Sequence, residues 1–332
     1  MFSSTIIPTI NRPTLSRAVL SVLDQDFDSD DFEVIVVNDS GQLLPNMEWM
    51  HSKRVHVINT NRRERSVARN TGAAIAEGRY FHFLDDDDIF LPGALHAFWQ
   101  LDRQGNDAIW LQGSYQTMNN DGNIIEELFP EHQGNNFVML VSGEGIPLGS
   151  CLVNSDAFYF VGGFDTTFKA GEDRDLGRRL AMIGNITYTQ FPIARFRVGL
   201  VGSTTNWTIN IEEDRRSREK ALNLRNSLAR ATASAKTCIW HGNTFEVYWR
   251  GRLCRAFLAS LIWNLRRKNI LIAVNRGISC FIAAGFKFLS RNFWLGLRNL
   301  DLSSGGYETQ DLKPATQADN AGVHGSSKLG GG

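Results

Sequence analysis

Two hydrophobic periods alternate through roughly the first ninety residues, and this alternation restricts the fold more than any single motif does. "SSTIIPTI" and "FEVIVVNDSG" are β-branched runs without a polar face, the pattern of strands covered on both sides. Between them, "TLSRAVLSVLDQ" (residues 14–25) spaces Leu15, Ala18, Val19, Val22 and Leu23 at helical intervals. "RVHVINT" reads as a third strand. "RERSVARNTGAAIAEG" reads as a helix with small residues on one face and Gly78 as its stop, and "RYFHFL" as a fourth strand. The order strand, helix, strand, strand, helix, strand predicts an α/β chain with a doubly wound sheet.

Ligands of such sheets sit beyond the carboxyl ends of the strands. Three of these ends are polar: Thr9, Asn11 and Arg12 after the first strand, Asn38 and Asp39 after the second, and Asp85, Asp86, Asp87 and Asp88 after the fourth. They converge on one crevice. Downstream, "ALHAFWQLDRQG" is a helix, and "DAIWLQGSYQTMNNDGNIIEE" is two strands joined by a hairpin at Asn120, Asp121 and Gly122. "GSCLVNSDAFYFVGGFD" gives a strand, a short helix and a Gly162–Gly163 turn. "GEDRDLGRRLAMIG" and "IEEDRRSREKALNLRNSLARA" are helices, the first with Glu172, Asp173 and Asp175 in its opening turn.

The acidic run has two readings. Hard divalent cations prefer carboxylate oxygens and are often shared between one or two protein carboxylates and substrate phosphates. In an extended or turning backbone Asp85 and Asp87 project to one side and Asp86 and Asp88 to the other, so one pair can face the crevice. The alternative is a solvated acidic turn before the next helix. The spacing does not suit an EF-hand loop. In "AGEDRDL", Glu172 or Asp173 could accept a proton from an attacking hydroxyl, or could simply suit a helix N-terminus. Arg65, Arg69 and Asn70 in "RERSVARN", and Arg197 in "ARFRVGLVGSTT", could hold phosphates or merely be solvated.

Taken in order, "IIPTINRP", "VIVVNDSG", "ARNTGAAIAEGRYFHFLDDDDIFLPGAL", "VGGFD" and "GEDRDL" resemble the family 2 inverting glycosyltransferases of GT-A fold, over about Ser3 to Gly202. The resemblance implies a Rossmann-like mixed sheet flanked by helices and a nucleotide-diphosphate-sugar donor, UDP-sugars favoured. It implies Mn2+ or Mg2+ as cofactor, with Asp85, Asp87 and Asp88 as metal ligands. Pro8, Thr9, Asn11, Arg12, Asp39, Arg65, Arg69, Asn70, Asp85, Asp86 and Arg197 would bind the nucleotide sugar. Asp173, with Glu172 beside it, matches the acid that serves as general base. Two departures stand out. Many members carry a His shortly after the arginine corresponding to Arg197, whereas "FRVGLVGS" has Gly199 and no histidine, leaving Arg197 as a phosphate contact. The filled "DDDD" also leaves the metal ligand open between Asp87 and Asp88.

Lys and Arg balance Asp and Glu at 35 each, so net charge indicates no nucleic-acid partner. The distribution is uneven: between Phe245 and Leu300 ten basic residues face Glu246 alone. There, apolar patches alternate with Lys and Arg and never reach the ~20 residues of a spanning helix. Trp249, Trp263 and Trp294 suit headgroup level, so interfacial helices on an anionic membrane are expected, with a helical subdomain packed on the core as the alternative. The four cysteines, Cys151, Cys238, Cys254 and Cys280, form no CxxC pair. The N-terminus reads directly into a strand, which predicts no signal peptide, a cytoplasmic chain, and a peripheral position on the inner face of the cell membrane.

The expected organisation is a catalytic domain over residues 1–205, with a nucleotide-sugar half to about 110 and an acceptor half from 111. A helical, basic region over 206–300 and a disordered tail over 301–332 follow. The acceptor is expected to be a hydroxyl of a lipid-linked or cell-surface glycan. Rival readings are a nucleotidyltransferase, which the lack of a Gly-rich phosphate loop disfavours, and a catalytically degenerate membrane scaffold.

Overall fold

The structure, a computed structural model, describes residues 1–28, 30–61, 64–105, 107–130, 133–141, 143, 145–198, 207–225, 227 and 244–288. The expected tail over 301–332, and the end of the expected helix past residue 227, lie outside these residues.

The first half follows the predicted alternation. Strands β1 (Ser3–Thr9), β2 (Phe32–Asn38), β3 (Val55–Asn59) and β4 (Tyr80–Phe83) are separated by α1 (Leu15–Leu23), a turn of 3-10 helix (Glu48–His51) and α2 (Arg65–Ile75). They pair in parallel in the order β3-β2-β1-β4. Successive residues of one strand feed opposite cores: Ile7, Val34 and Val36 pack with Leu15, Val19 and Val22 of α1, whereas Ile6, Ile35 and Val37 pack with Ala68 and Ala73 of α2. This is the physical content of double winding, since a strand covered on both faces needs no polar side. The small face of α2 has a steric reason, because a Cβ on Gly72 would lie 2.5 Å from Ile6 Cγ2 and 2.9 Å from Val37 Cγ2.

Gly78 does not stop α2, which ends at Ile75. Its Cβ would instead fall 2.4 Å from the backbone nitrogen of Ser4, so the glycine lets the chain pass close against β1 before β4 begins.

The second half extends the same sheet. After β5 (Ile89–Phe90) and α3 (Ala94–Arg103) come β6 (Ala108–Met118), β7 (Ile124–Leu128), α4 (Phe137–Val141), a 3-10 turn (Leu148–Ser150), β8 (Cys151–Asn154), α5 (Ser155–Phe160), α6 (Glu172–Ile183) and β9 (Asn185–Arg197). The full order is β3-β2-β1-β4-β8-β6-β9-β5, with β7 on β6. The β6–β7 hairpin turns where expected, with Gly122 at φ 87°. Gly162 and Gly163 adopt positive φ in their turn.

Strand β9 escapes a sequence reading because Pro192 interrupts "NITYTQFPIARFR". Bulges in β6 on both sides of Ser114, which faces Pro192, accommodate it. Gly113 is required there, since a Cβ would lie 1.8 Å from Ile193 Cγ1.

Helix α7 (Trp207–Leu222) lies against α6 and is followed by a hairpin of α8 (Thr244–Arg266) and α9 (Ile270–Phe288). The hairpin is tied to α7 through buried polar side chains: Arg276 Nη2 pairs with Glu219 Oε1 at 3.1 Å, and Ser260 donates to the same carboxylate. No helix among the described residues is long and apolar enough to cross a membrane. Trp294 lies outside the described residues, and Trp263 is half-buried with the Arg267 guanidinium 4.1 Å over its ring.

Candidate functional site

Strand order reverses at β1, with β2 on one side and β4 on the other, and a crevice opens at the carboxyl ends of these strands. The backbone after β4 closes as a turn in which Asp88 N donates to Asp85 O at 3.1 Å. A turn breaks the alternation expected of an extended chain. Asp85, Asp87 and Asp88 each bring a carboxylate oxygen within 4.8 Å of the others. Asp86 alone leaves the group and is buried, accepting Thr9 Oγ1 at 2.5 Å and Arg12 Nη1 at 2.6 Å.

The three grouped carboxylates differ electrostatically. Burial and the charge of Asp85 push Asp88 well above the usual carboxylate range, and push Asp87 up to a lesser degree. Burial works in the same sense on Asp85, but the Arg69 charge and hydrogen bond override it and hold Asp85 low. Asp88 also accepts Arg197 N at 2.9 Å, which aims it into the group. An oxygen-only donor set in which two of three carboxylates have raised pKa values suits a hard divalent cation, because such an ion relieves the repulsion.

Opposite the turn stands the start of α6. Gly171 takes φ 70° as its N-cap, and Glu172 and Asp173 follow. Their environments diverge. Glu172 is buried and accepts Arg65 Nε at 2.8 Å and Arg69 Nη1 at 2.9 Å. Arg65 and Arg69 are one turn apart on α2, and Arg69 reaches Asp85 Oδ1 at 2.6 Å with its other nitrogen. The Arg69 guanidinium therefore joins both walls. Asp173 is half-buried and accepts the N–H of Arg174 at 2.8 Å. Burial and the charge of Glu172 raise its pKa.

One cavity of about 380 Å³ lies between Asp85, Asp87, Asp88, Glu172, Asp173 and the Pro147–Gly149 segment. A second of about 690 Å³ extends from it over Pro8, Thr9, Arg12, Asp39 and Asp86. Asp39 is buried and accepts Thr60 Oγ1 at 2.6 Å and Glu64 N at 2.5 Å, while both Glu64 carboxylate oxygens cap the first N–H groups of α2. Asn11, exposed at φ 66°, donates its N–H to Thr9 Oγ1.

Two expected contacts are turned elsewhere. The amide of Asn70 is engaged by the backbone of Phe164, donating at 2.8 Å and accepting at 2.9 Å, and it lines neither cavity. Arg197 borders the smaller cavity, but its Nη1 donates to the carbonyls of Asn119 and Asn120 in the β6–β7 hairpin. Sequence reasoning missed Pro147, Leu148, Gly149 and Phe196 on the floor, where apolar residues carry no chemical signal.

Residues 4–151 match glycosyl transferase family 2. An uncharacterized glycosyltransferase of Haemophilus influenzae is 28% identical over 195 residues, 57% of this chain and 65% of that protein. The poly(ribitol-phosphate) beta-N-acetylglucosaminyltransferase TarP of Staphylococcus aureus is 33% identical over 109 residues, 31% of this chain and 33% of that one. A UDP-Glc:alpha-D-GlcNAc-diphosphoundecaprenol beta-1,3-glucosyltransferase of Escherichia coli is 27% identical over 165 residues, covering 48% and 64%. The chain thus spans less than two thirds of the length of these curated relatives. Among solved structures, S. aureus TarS 1–349 in complex with UDP-GlcNAc superposes with a TM-score of 0.59 at 14% identity, over 86% of this chain and 92% of that one. The parallel β3-β2-β1-β4 core, the aspartate turn at its switch point and these matches mark residues 4–151 as a glycosyl transferase family 2 domain, on a GT-A type fold.

Proposed function

We propose that the protein is an inverting glycosyltransferase that moves a sugar from a nucleotide diphosphate to a glycan hydroxyl. The observation that carries this reading is the crevice itself: an aspartate turn suited to a cation on one wall, and Asp173, a carboxylate of raised pKa, on the other. Pro8, Thr9, Arg12, Asp39 and Asp86 line the larger cavity and would receive the nucleoside, with Arg12, Arg65 and Arg69 near its phosphates. UDP is the favoured nucleotide, since TarS binds UDP-GlcNAc and UDP. Asp85, Asp87 and Asp88 would hold Mn2+ or Mg2+, which supplies positive charge opposite the leaving diphosphate.

In the step itself the acceptor oxygen attacks the anomeric carbon and gives its proton to Asp173. The bond to the diphosphate breaks on the opposite face, and its electron pair leaves with the phosphate, so the anomeric centre inverts. Glu172, held by two arginines, positions the wall and raises the basicity of Asp173 through its charge. The nucleotide-sugar half would run to about residue 110 and the acceptor half to about 205. Acceptors named for relatives are lipid-linked or polymeric, which favours such a glycan here.

The proposal extends to the inner face of the cell membrane. Leu271, Val274, Ile278, Phe281 and Ile282 form an exposed stripe on α9, with Leu271 88% and Phe281 82% exposed, and Arg266, Arg267 and Lys268 lie at the turn beside it. This pattern supports an anionic lipid surface as partner.

Two variants test the chemistry. Asp87→Ala should abolish transfer and weaken cation-dependent nucleotide binding. Asp173→Asn should abolish transfer and keep nucleotide binding. Full transfer by purified Asp173→Asn protein would overturn the base assignment.

A further inference from the structure

A third cavity, of about 500 Å³, adjoins the crevice on the far side of Asp173. Gly171 and Asp173 line both, so a molecule offering a hydroxyl to Asp173 continues into this space. Its other walls are Arg174 of α6, Asp214, Arg215 and Arg218 of α7, and Ala259 of α8.

The charge there is unbalanced. Asp214 accepts Arg174 Nη1 at 3.4 Å, Arg178 Nη2 at 2.6 Å and Arg218 Nη2 at 2.8 Å, so one carboxylate is divided among three guanidinium groups. Arg215 adds a fourth and makes no ion pair among the described residues. Arg178 is fully buried, with its Nε on the carbonyl of Leu140, and Arg218 Nε donates to the carbonyl of Val141 at 2.7 Å. Burial, with the charges of Arg178, Arg215 and Arg174, keeps Arg218 below its ordinary pKa in spite of Asp214. A solvated helix face would spread such charges into water. Here two of the four are packed against the carbonyls of α4, so their repulsion is built into the fold and an anion in the cavity would relieve it.

We infer that this cavity is an acceptor subsite for a phosphate or diphosphate group, held by Arg174, Arg215 and Arg218 while the acceptor's hydroxyl meets Asp173. The inference rests on the glycosyltransferase reading for the word acceptor; the anion site itself stands on the arginines. Two sources share this chemistry, a lipid-linked diphosphate and a polymeric phosphodiester. A neutral glycan would leave the arginines unanswered.

The test is a binding titration that needs no turnover. With UDP and Mg2+ saturating, so that the donor's diphosphate position is filled, the protein is titrated with three probes: a sugar diphosphate of a short prenol, a polyol-phosphate oligomer, and the methyl glycoside of the same sugar. At least one anionic probe should bind well above the glycoside, and the stronger of the two identifies the source. Arg215→Gln should weaken that probe about tenfold, the scale of one charge-assisted hydrogen bond. Arg215 is exposed and outside the packed contacts, so the melting temperature should hold; Arg174→Gln provides a second variant. Equal binding of glycoside and anionic probes, or unchanged affinity in both variants, would overturn the subsite. Failure of UDP to bind would count instead against the donor reading, and the anion titration would then be read without it.

Discussion

Lowering the pH from 7 to 5 should remove about 2 kcal/mol of stability through one residue, His82. The ring is fully buried in β4, with Nδ1 3.2 Å from Thr5 Oγ1 and Nε2 2.9 Å from the carbonyl of Gly149. Of the two neutral tautomers only the one with its proton on Nε2 satisfies both: Nε2–H donates to the carbonyl, and the threonine hydroxyl donates to Nδ1. Burial pushes its pKa down to about 4, against the ordinary 6.5. Between those values the unfolded chain binds a proton that the native state refuses. The contribution is therefore complete above 6.5 and lost as pH falls toward 4. At about 1.36 kcal/mol per pH unit the whole window holds roughly 3 kcal/mol, of which about 2 is gone by pH 5. Urea unfolding at pH 7, 6 and 5 should be compared between the wild type and His82→Gln, whose amide can still reach Gly149 but does not titrate. The stability gap between them should narrow by about 2 kcal/mol across that range. A gap constant to within about 0.5 kcal/mol would refute the reasoning, since the ring would then titrate normally in the fold. Gly149 belongs to the segment that lines the crevice, so His82 also ties β4 to that wall.

Arg69→Met breaks the bridge between Asp85 and Glu172. Loss of a buried partner costs about 3–5 kcal/mol, and because Asp85 is 50% exposed and Glu172 keeps Arg65, the low end applies. The thermal midpoint should drop by about 6–12 °C, and a drop under about 2 °C would remove Arg69 from this role. If Asp173 is the base proposed above, the pH profile of transfer should have an acid limb above the ordinary aspartate value, because that role needs its carboxylate form and its pKa is raised. Glu172→Gln removes one cause of that rise and should move the limb to lower pH; an unmoved limb would contradict the assignment. Vesicles rich in anionic lipid should carry the wild type in flotation and release Leu271→Glu/Phe281→Glu, and equal flotation of the two would exclude the α9 stripe as the contact.

The parallel half of the fold was legible because double burial writes itself as uninterrupted β-branched runs, as in β2. The antiparallel half was less so. Strand β9 is split by Pro192, and its fit depends on bulges and on Gly113 in β6, a partner distant in sequence. At the site, residue type was readable and orientation was not. Asp88 joins Asp85 and Asp87 because the chain turns, and Asn70 faces Phe164 because a helix residue's direction depends on what packs against it. By residue type alone Glu172 and Asp173 stand alike, and the family resemblance was what favoured Asp173; in the structure the two arginines from α2 hold Glu172 and separate the pair.

The turn at Asp85–Asp88 bears on how such a protein can change under selection. Its carboxylates are crowded to the point that burial and like charge raise two of them, so the fold without a cation is weakened at that spot. Asp87→Asn keeps the shape and removes one of the repelling charges. A library selected for heat resistance alone, in the presence of a chelator, would therefore drift toward amides at this turn and lose the proposed cation site in the process. Asp87 and Asp88 therefore work against the stability of the chain without a cation, and it is the crevice they face that gives them a use.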